Sequence, residues 1–393
     1  MTVRLHSWLL LTTFAVVPCF LSAAEQPKAE DRQMMTETPV IGGQPAIVLH
    51  RKPTSKGSEP EFTSVVLLPG RGMNVFQITA ALPGRGEVDL MASPTLRDAE
   101  KRFDQPSTED SWNASFMMGG AFLFPFANRL LGPATADGKA IQVTWQGRTV
   151  AVPANWPGTR TNAGPQALHG LILGARAAAT VQHAEPDGAR ATATYLLPAA
   201  GRWFSDNELK IEITLEAHAL TAQLTATNTG KEAEPVGTGW HPYFRILGND
   251  RGATRVHLPA AARAEINNLI PTGKFIPVQG TPFDFRAPEG APLTGPLNDV
   301  FVQLHHGAGG EIACELTDPG ADSRLRMIVF SRHVHALVAY APVDQPLIVL
   351  EPQFNLPDPF GSEWSGQDNG MVTLAPGQQV QWKVRLELGS DRQ

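Results

Sequence analysis

Two short segments of the chain carry side chains suited to proton transfer, and the first contains Glu351. This residue follows the apolar run Leu347–Leu350 and precedes Pro352. A carboxylate at the end of a buried strand is costly unless it is paired or functional. Burial would raise its pKa towards the value that a general base needs near neutral pH. We therefore interpret Glu351 as a candidate general base rather than as a turn cap.

The second segment runs from Gly237 to Phe244 and reads GTGWHPYF. Pro242 biases His241 towards extended backbone geometry. In an extended frame, Trp240 and Pro242 point one way, whereas His241 and Tyr243 point the other. A titratable imidazole among aromatic rings suits a sugar, which needs both hydrogen bonds and a stacking surface. A packed aromatic turn without a ligand is the alternative for this segment.

Three other segments contain candidate binding residues. Asn128 and Arg129 follow a Phe-Pro-Phe-Ala turn, His169 lies in Ala-Leu-His-Gly, and Asp299 lies in Pro-Leu-Asn-Asp-Val-Phe. An arginine fork can bind hydroxyls or a carboxylate. Taken singly, each residue has an ordinary structural explanation: a surface arginine stacked on Phe126, a hydrogen-bonded histidine at a turn, and an aspartate that caps a turn.

Metal ligation has weak support in the sequence. His305 and His306 are adjacent, and His333 and His335 share one face of an extended segment. Neither pair has a third ligand at a recognisable spacing, so we predict no metal site.

The elements that must position these residues are predicted to be strands. Short apolar or alternating runs recur from Thr63 onward, and Gly, Pro or Asn separates them. The runs are Val65–Leu68, Val75–Thr79, Ile141–Trp145, Ala191–Leu197, Leu209–Leu215, Leu220–Thr227, Arg326–Phe330, Ala336–Ala339, Leu347–Leu350 and Val380–Leu388. The longest helical candidate is only Leu96–Phe103. With 36 Gly and 33 Pro, the composition also favours many turns. We predict an all-β protein built as one large antiparallel β-sandwich.

The first 24 residues are typical of a secretory signal peptide. Arg4 and His6 precede a short apolar run that ends at Ser-Ala-Ala, with cleavage predicted after Ala24. A lipoprotein signal at Cys19 and an uncleaved anchor are the alternatives. We predict export to the periplasm or outside the cell, a polar lead-in over residues 25–61 and a β-sandwich domain over 62–390. After cleavage only Cys314 remains, which excludes an intramolecular disulfide and indicates a core thiol.

Charge excludes one class of partner. The formal net charge is −6 and the isoelectric point is near 6.0. A basic patch of the kind that binds nucleic acid is therefore not predicted. We predict a small-molecule sugar as the partner, with no nucleic acid and no membrane attachment after signal cleavage.

The ordered set of these segments resembles the aldose 1-epimerase (galactose mutarotase-like) family. The matching segments are Pro-Phe-Ala-Asn-Arg-Leu at 125–130, Leu-His-Gly at 168–170, Asn-Thr-Gly at 228–230, Gly-Trp-His-Pro-Tyr-Phe at 239–244, Ile-Pro-Thr-Gly at 270–273, Thr-Pro-Phe-Asp-Phe-Arg at 281–286, Leu-Asn-Asp-Val-Phe at 297–301 and Leu-Glu-Pro-Gln at 350–353. Each motif alone is weak, but their order is specific. The resemblance spans about residues 62 to 388.

The resemblance implies an isomerase, an aldose 1-epimerase or mutarotase, that needs no cofactor or metal. It implies that Glu351 is the general base and His241 the general acid. Further residues would contact the sugar; these are Asn128, Arg129, His169, Tyr243 and Asp299. Pro242 departs from the family pattern, since many members have Ser after the second histidine, and this leaves the identity of the sugar open.

Other functions stay open at this stage. A glycoside hydrolase or lyase could use Asp299 and Glu351 as a carboxylate pair, for which a separation of about 5–9 Å is required. A non-catalytic carbohydrate-binding sandwich would keep the cleft without turnover. A sugar-phosphate mutarotase would need a basic cluster for the phosphate, and export makes phosphosugars poorer candidates.

Overall fold

The computed structural model of the chain describes residues 38–55, 57–103, 115–156, 164–185 and 187–391. The predicted signal peptide, including Cys19 and the cleavage position at Ala24, lies outside the described residues.

Strands make up most of the described chain. The first fourteen are β1 (Val40–Ile41), β2 (Gln44–Pro45), β3 (Ile47–His50), β4 (Glu61–Leu68), β5 (Asn74–Leu82), β6 (Gly86–Asp89), β7 (Gly120–Leu123), β8 (Arg129–Leu130), β9 (Ala140–Trp145), β10 (Arg148–Pro153), β11 (Ala167–Leu168), β12 (Ala179–Glu185), β13 (Gly188–Leu197) and β14 (Asn207–Leu215). The others are β15 (Ala219–Asn228), β16 (Glu234–Val236), β17 (Gly239–Arg245), β18 (Arg255–His257), β19 (Ala260–Asn267), β20 (Ile270–Pro277), β21 (Ala291–Pro292), β22 (Leu297–Leu304), β23 (Ile312–Asp318), β24 (Ser323–Val329), β25 (Ala336–Ala341), β26 (Leu347–Gln353), β27 (Val372–Leu374) and β28 (Gln379–Gly389). All ten runs predicted as strands coincide with these elements, except that Phe330 lies one residue beyond the end of β24.

Two large antiparallel sheets form the body of the protein. One has nine strands in the order β12-β13-β14-β15-β28-β24-β23-β18-β21, and the other has seven in the order β20-β19-β22-β25-β26-β17-β7. A four-stranded sheet, β3-β4-β5-β6, joins them. The fold-class prediction, an all-β protein with a large antiparallel sandwich, is confirmed.

The core lies between the two large sheets because each presents one apolar face. On β14, Leu209, Ile211 and Ile213 are fully buried, as their strict alternation with charged residues predicts. Across the core, the ring of Phe122 on β7 meets Trp382 on β28 edge-on, with centroids 6.1 Å apart. The outer face of the seven-stranded sheet is left free to carry polar groups.

The sheet structure begins earlier than the sequence indicates. Strand β3 pairs with β4, with Ile47 opposite Leu67, inside the segment that we assigned to the polar lead-in at 25–61. Ile47 and Leu49 are buried while Val48 and His50 are exposed. Two buried residues are too short a pattern to distinguish a strand from a polar loop by sequence, so the boundary at 62 was set too late.

The single α-helix longer than a turn within the described ranges is α1, Leu96–Phe103, which matches the predicted bounds. The Thr95 hydroxyl caps it by accepting a hydrogen bond from the Asp98 amide at 3.2 Å. Short 3₁₀ turns occur at Pro69–Arg71, Pro319–Ala321 and Ser362–Trp364. Among the described residues, helices of the length and apolarity needed to cross a bilayer are absent.

Candidate active site

Strands β17 and β26 place His241 directly opposite Glu351. The two strands are antiparallel neighbours, with Gly239 opposite Gln353 and Tyr243 opposite Val349. His241 and Glu351 lie midway between these two pairs, so they are opposite each other. Residues opposite each other on neighbouring strands project from the same face of a sheet. That face is the outer face of the seven-stranded sheet, because Trp240, the neighbour of His241, packs in the main core. The predicted alternation of this segment is confirmed.

Three titratable side chains meet on this face. Nε2 of His241 lies 3.5 Å from Oε2 of Glu351, and Nδ1 of His169 lies 3.8 Å from Oε1 of the same carboxyl group. The two imidazole rings are perpendicular, with centroids 5.1 Å apart. Glu351 is 1% exposed and the two histidines are under 10% exposed. The three residues span 182 positions of the chain, from 169 to 351, and the fold brings them together.

His169 reaches the cluster through a tight turn after β11. Its backbone has a φ of 60°, in the left-handed region, and its amide donates to the Asn128 carbonyl at 2.8 Å. Gly170 follows with a φ of 84°, and a Cβ there would lie 2.1 Å from the carbonyl oxygen of Phe124. Glycine is required at that position because only it lets the two loops approach so closely. The turn formed by the Leu-His-Gly motif thus orients the His169 side chain towards the site.

A four-bond clamp ties the segment after Glu351 to the loop that carries Asn128 and Arg129. The Asn355 side chain accepts from the Ala127 amide and donates to the Ala127 carbonyl, both at 2.9 Å. The Asp358 amide donates to the Arg129 carbonyl at 2.8 Å, and Oδ1 of Asp358 accepts from the Leu131 amide at 2.9 Å. The clamp fixes one backbone relative to the other, so the base and the arginine loop are held as one unit.

Arg129 is partly buried at the edge of the cluster. Its Nη1 donates to Oε1 of Gln166 at 2.9 Å. Burial lowers the pKa of the guanidinium to about 10, and the nearby Asp358 carboxyl opposes that shift. The group stays positively charged at neutral pH, and it lowers the pKa of His169 in turn.

Burial controls the protonation of the three central groups. Burial raises the pKa of Glu351 well above the usual carboxyl range. A hydrogen bond from Nε2 of Gln353 lowers this pKa but does not outweigh burial. Burial also lowers the pKa of His241 to about 4. It lowers the pKa of His169 well below its usual value, and the neighbouring His241 and Arg129 add to this shift. Burial therefore favours the protonated carboxyl group of Glu351 and the neutral imidazoles of His241 and His169.

Aromatic rings enclose the cluster. Tyr243 stacks on His241 with centroids 5.0 Å apart and an interplanar angle of 24°. Phe116 contacts both histidines, with centroids 4.6 Å from His169 and 5.7 Å from His241. These rings exclude water and thereby strengthen the electrostatic interactions of the buried groups.

The structure does not bring Asp299 to the cluster. On β22, Asp299 pairs with Ala339 of β25, whereas the next residue of β25, Val338, pairs with Glu351. Successive residues of a strand project from opposite faces, so Asp299 lies on the other side of the sheet from Glu351. There its Oδ1 forms a 2.5 Å ion pair with Nη1 of Arg263. The residue before it in the strand, Asn298, faces the other way.

That neighbour, Asn298, lies on the same face as Glu351. It pairs with Tyr340, two positions along β25 from Val338. Asn298 is exposed and Tyr340 is half-buried. The row of Glu351 continues through Val338 to Val300, and Asn298 lies in the adjacent row of the same face, where its side chain is accessible.

Comparison with known proteins agrees with this architecture. The family model described as aldose 1-epimerase matches residues 95–387. This range holds the cluster, the arginine loop and both large sheets.

The chain belongs to the aldose 1-epimerase family.

Individual relatives of this family member are distant. A galactose mutarotase-like protein from Clostridium acetobutylicum has a TM-score of 0.67 and 17% identity, over 85% of this chain and 93% of that one. Galactose 1-epimerase from Lactobacillus acidophilus has a TM-score of 0.58 and 17% identity, over 88% and 98%. The Escherichia coli protein YphB, which is uncharacterized, is 26% identical over 183 residues. That match spans 44% of this chain and 57% of the relative.

Several residues of this epimerase-family site escaped the sequence analysis. Gln353 and Asn355 lie two and four positions after Glu351, so the strand periodicity of two could have placed them near it. Asp358, seven positions after Glu351, was assigned no role from the sequence. Phe116 and Gln166 carry no local signal, because their contacts are made only by the tertiary fold.

The cluster also contains the one set of three potential metal ligands in the described part of the chain. One donor atom from each of His169, His241 and Glu351 lies within 4.8 Å of the others. Of the pairs considered from sequence, His335 instead forms a surface contact of 3.1 Å with Asp368.

Proposed function

We propose that this protein interconverts the α and β anomers of a free aldose by acid–base opening of the sugar ring. The observation that carries the proposal is the buried Glu351–His241 pair, whose reacting atoms are 3.5 Å apart. Membership of the aldose 1-epimerase family supports an isomerase.

The spacing of the pair suits the reaction. A cyclic aldose is a hemiacetal, and both oxygens that exchange protons are bonded to C1. Opening takes the proton from the C1 hydroxyl and gives one to the ring oxygen. An acid and a base that act together on two oxygens of one carbon must themselves be neighbours. Two residues in opposite positions on adjacent strands meet this condition.

One proton in the pair is enough for the whole cycle. Sugar hydroxyls that donate to the Glu351 carboxylate favour its charged form, so the proton passes to His241 as the sugar binds. Glu351 then takes the C1 hydroxyl proton while His241 protonates the ring oxygen. The free aldehyde rotates about the C1–C2 bond, and closure on its other face reverses the two roles.

Other groups hold the sugar while C1 turns. Arg129 and His169 provide donors beside the pair, and Asn128 connects them because its carbonyl accepts the His169 amide. Tyr243 gives an aromatic wall. Asn298, exposed on the same face in the row next to that of Glu351, contacts the end of the sugar away from C1.

The arrangement does not favour the hydrolase alternative. A glycosidase needs two carboxyl groups that flank one bond. Asp299 projects from the opposite face of the sheet and is paired with Arg263. The best-supported function is therefore the one that needs a single carboxylate.

A panel of aldoses tests the proposal. Polarimetry or saturation-transfer NMR would measure anomerisation above the spontaneous rate, with Glu351→Gln as the control. Acceleration by the wild type and loss in the variant support it. Binding of aldoses by the wild type without acceleration would make the protein a carbohydrate-binding module instead.

We also propose that the protein is exported and that the mature chain begins at Glu25, following the signal-peptide pattern of residues 1–24. Intact-mass measurement of the exported protein tests this. A retained Met1 or a lipid-modified Cys19 would contradict it.

A further inference from the structure

We propose that His169, His241 and Glu351 also form a binding site for a divalent transition-metal ion, with Zn²⁺ as its best-suited occupant, and that this ion competes with the sugar for the three groups. The competition rests on the proposed function; the binding does not.

The donor set matches zinc chemistry. Two imidazole nitrogens and one carboxylate oxygen, with a fourth position open, are a recurrent ligand combination of accessible zinc sites. Hard cations such as Mg²⁺ and Ca²⁺ prefer sets made of oxygen alone. The combination therefore selects a borderline-soft ion.

The distances between donors are close to those that zinc needs. Ligands about 2.0–2.2 Å from a tetrahedral ion are separated from one another by roughly 3.3–3.5 Å. Nε2 of His241 is 3.5 Å from Oε2 of Glu351, and Nδ1 of His169 is 3.8 Å from Oε1. These distances are to the two different oxygens of the carboxyl group. With one donor atom taken from each residue, the three atoms lie within 4.8 Å of one another. The side chains must therefore move closer together to reach the tetrahedral separation.

Protonation assists one part of the binding and opposes another. Both imidazoles are neutral at neutral pH because burial lowers their pKa values, so their lone pairs are free to bind a cation. A carboxyl group binds a cation in its charged form, so the ion must compete with a proton for Glu351. The positive charge of Arg129 beside His169 also reduces the affinity for a cation.

The surroundings of the ligands point to an inhibitor rather than a resident cofactor. Metal-binding histidines usually donate their second ring N–H to a carbonyl or carboxylate. Nδ1 of His241 is buried without a hydrogen-bond partner. Glu351 accepts a hydrogen bond from Nε2 of Gln353. Zinc should therefore bind reversibly and leave on chelation.

Calorimetry with zinc chloride in a non-chelating buffer, on the full mature protein, tests the binding. We expect one saturable equivalent in the wild type. The single substitutions His169→Asn, His241→Asn and Glu351→Gln should each lower the zinc affinity. Each loss should exceed the roughly 10–100-fold loss that follows when a residue supporting a ligand is removed. His335→Asn, which alters the surface contact with Asp368, should leave it unchanged.

A second readout keeps the proposal testable if a variant folds poorly. Co²⁺ bound by the wild type should give the visible absorption of a tetrahedral nitrogen–oxygen site, and Zn²⁺ should displace it. Absence of one-to-one binding, or binding that His335→Asn abolishes, overturns the site.

Anomerisation assays separate the metal proposal from the proposed function. If the enzyme is active, Zn²⁺ should raise KM without changing kcat, and EDTA should reverse this. Activity that saturating zinc leaves intact would contradict the competition. If no aldose is turned over but zinc binds and the three variants lose it, the metal site stands and the epimerase proposal falls.

Discussion

His241 and Glu351 occupy opposite positions on neighbouring antiparallel strands, and their facing atoms, Nε2 and Oε2, are 3.5 Å apart. Strand pairing thus sets the distance between acid and base directly. Neither residue depends on a flexible loop. A site on paired strands keeps this geometry more constant than one built on loops.

The pH dependence of kcat/KM should be bell-shaped. Below about pH 4, where His241 also becomes protonated, the pair has no base. Above the raised pKa of Glu351, the pair has lost its only proton and has no acid. The two limbs report apparent pKa values of the pair rather than of either residue. Mutarotation rates measured from pH 3 to 10, corrected for the spontaneous reaction, should show a plateau between the two limbs. If activity fell only at low pH and not at high pH, the pair would not supply the acid.

Glu351→Gln and His241→Asn should each lower kcat by roughly 10²–10⁴. The double variant should lose much less than the product of the single losses, because either change already abolishes a concerted step. Sugar binding by calorimetry should persist, since Arg129 and His169 are unchanged. If Glu351→Gln keeps more than about a tenth of kcat, far above the residual rate of an enzyme without its base, Glu351 is not the base.

Neighbouring substitutions on β22 should have opposite effects. Asn298→Ala should raise KM up to about ten-fold at constant kcat, since one hydrogen bond to a non-reacting hydroxyl is lost. Asp299→Asn should leave both constants unchanged and lower the free energy of unfolding by at most about 1 kcal/mol through the Arg263 pair. Steady-state kinetics and urea unfolding measure the two effects. An Asp299 variant with raised KM would return that residue to the site.

The clamp should position the arginine loop. Asp358→Ala removes the acceptor of the half-buried Leu131 amide, which costs about 1 kcal/mol, and should raise KM more than it lowers kcat. Asp358→Asn keeps an acceptor and should restore KM. Burial raises the pKa of Asp358 to about 7, so its charge destabilises the fold above that pH. The Asn variant should therefore match or exceed the wild type in free energy of unfolding at pH 8. Failure of Asn to restore KM would show that the charge, rather than the clamp, matters.

A buried ion pair far from the site should control acid stability. Glu61 is fully buried and accepts from Nη1 of Arg51 at 2.5 Å. Burial alone would raise its pKa, but hydrogen bonds from Thr54, Ser55 and Arg51 outweigh this and lower it to about 2. Its stabilisation is present above the unfolded value of 4.5 and is lost as the pH falls towards 2.

Glu61→Gln should accordingly lower the free energy of unfolding by about 3–5 kcal/mol at pH 7, because Arg51 stays buried without its partner. The difference from the wild type should shrink between pH 4.5 and 2. Glu59→Gln, at an exposed neighbour, is the matched control. A difference that stays constant over this pH range would exclude ionisation of Glu61 as the cause.

The sequence alone was sufficient for features that depend on local periodicity. Alternation over Leu209–Leu215 identified β14 and its apolar face, and the extended frame at Trp240–Tyr243 placed His241 and Tyr243 on the opposite face from Trp240. The longest helical candidate, Leu96–Phe103, is the helix of the structure, and most of its residues are good helix formers. The order of short motifs indicated the family. These signals require only neighbours in the chain.

The tertiary structure decided which predicted residues meet. His169, His241 and Glu351 come from three separate segments, and only strand order in the seven-stranded sheet and the turn at Gly170 bring them together. Asp299 was misplaced because a strand reverses its face at every residue, and the register of β22 against β25, which selects Asn298, is set by long-range pairing. The same is true of Phe116 and the Asn355–Asp358 clamp. Their contacts join distant segments, and local sequence carries no record of which distant backbone will be adjacent.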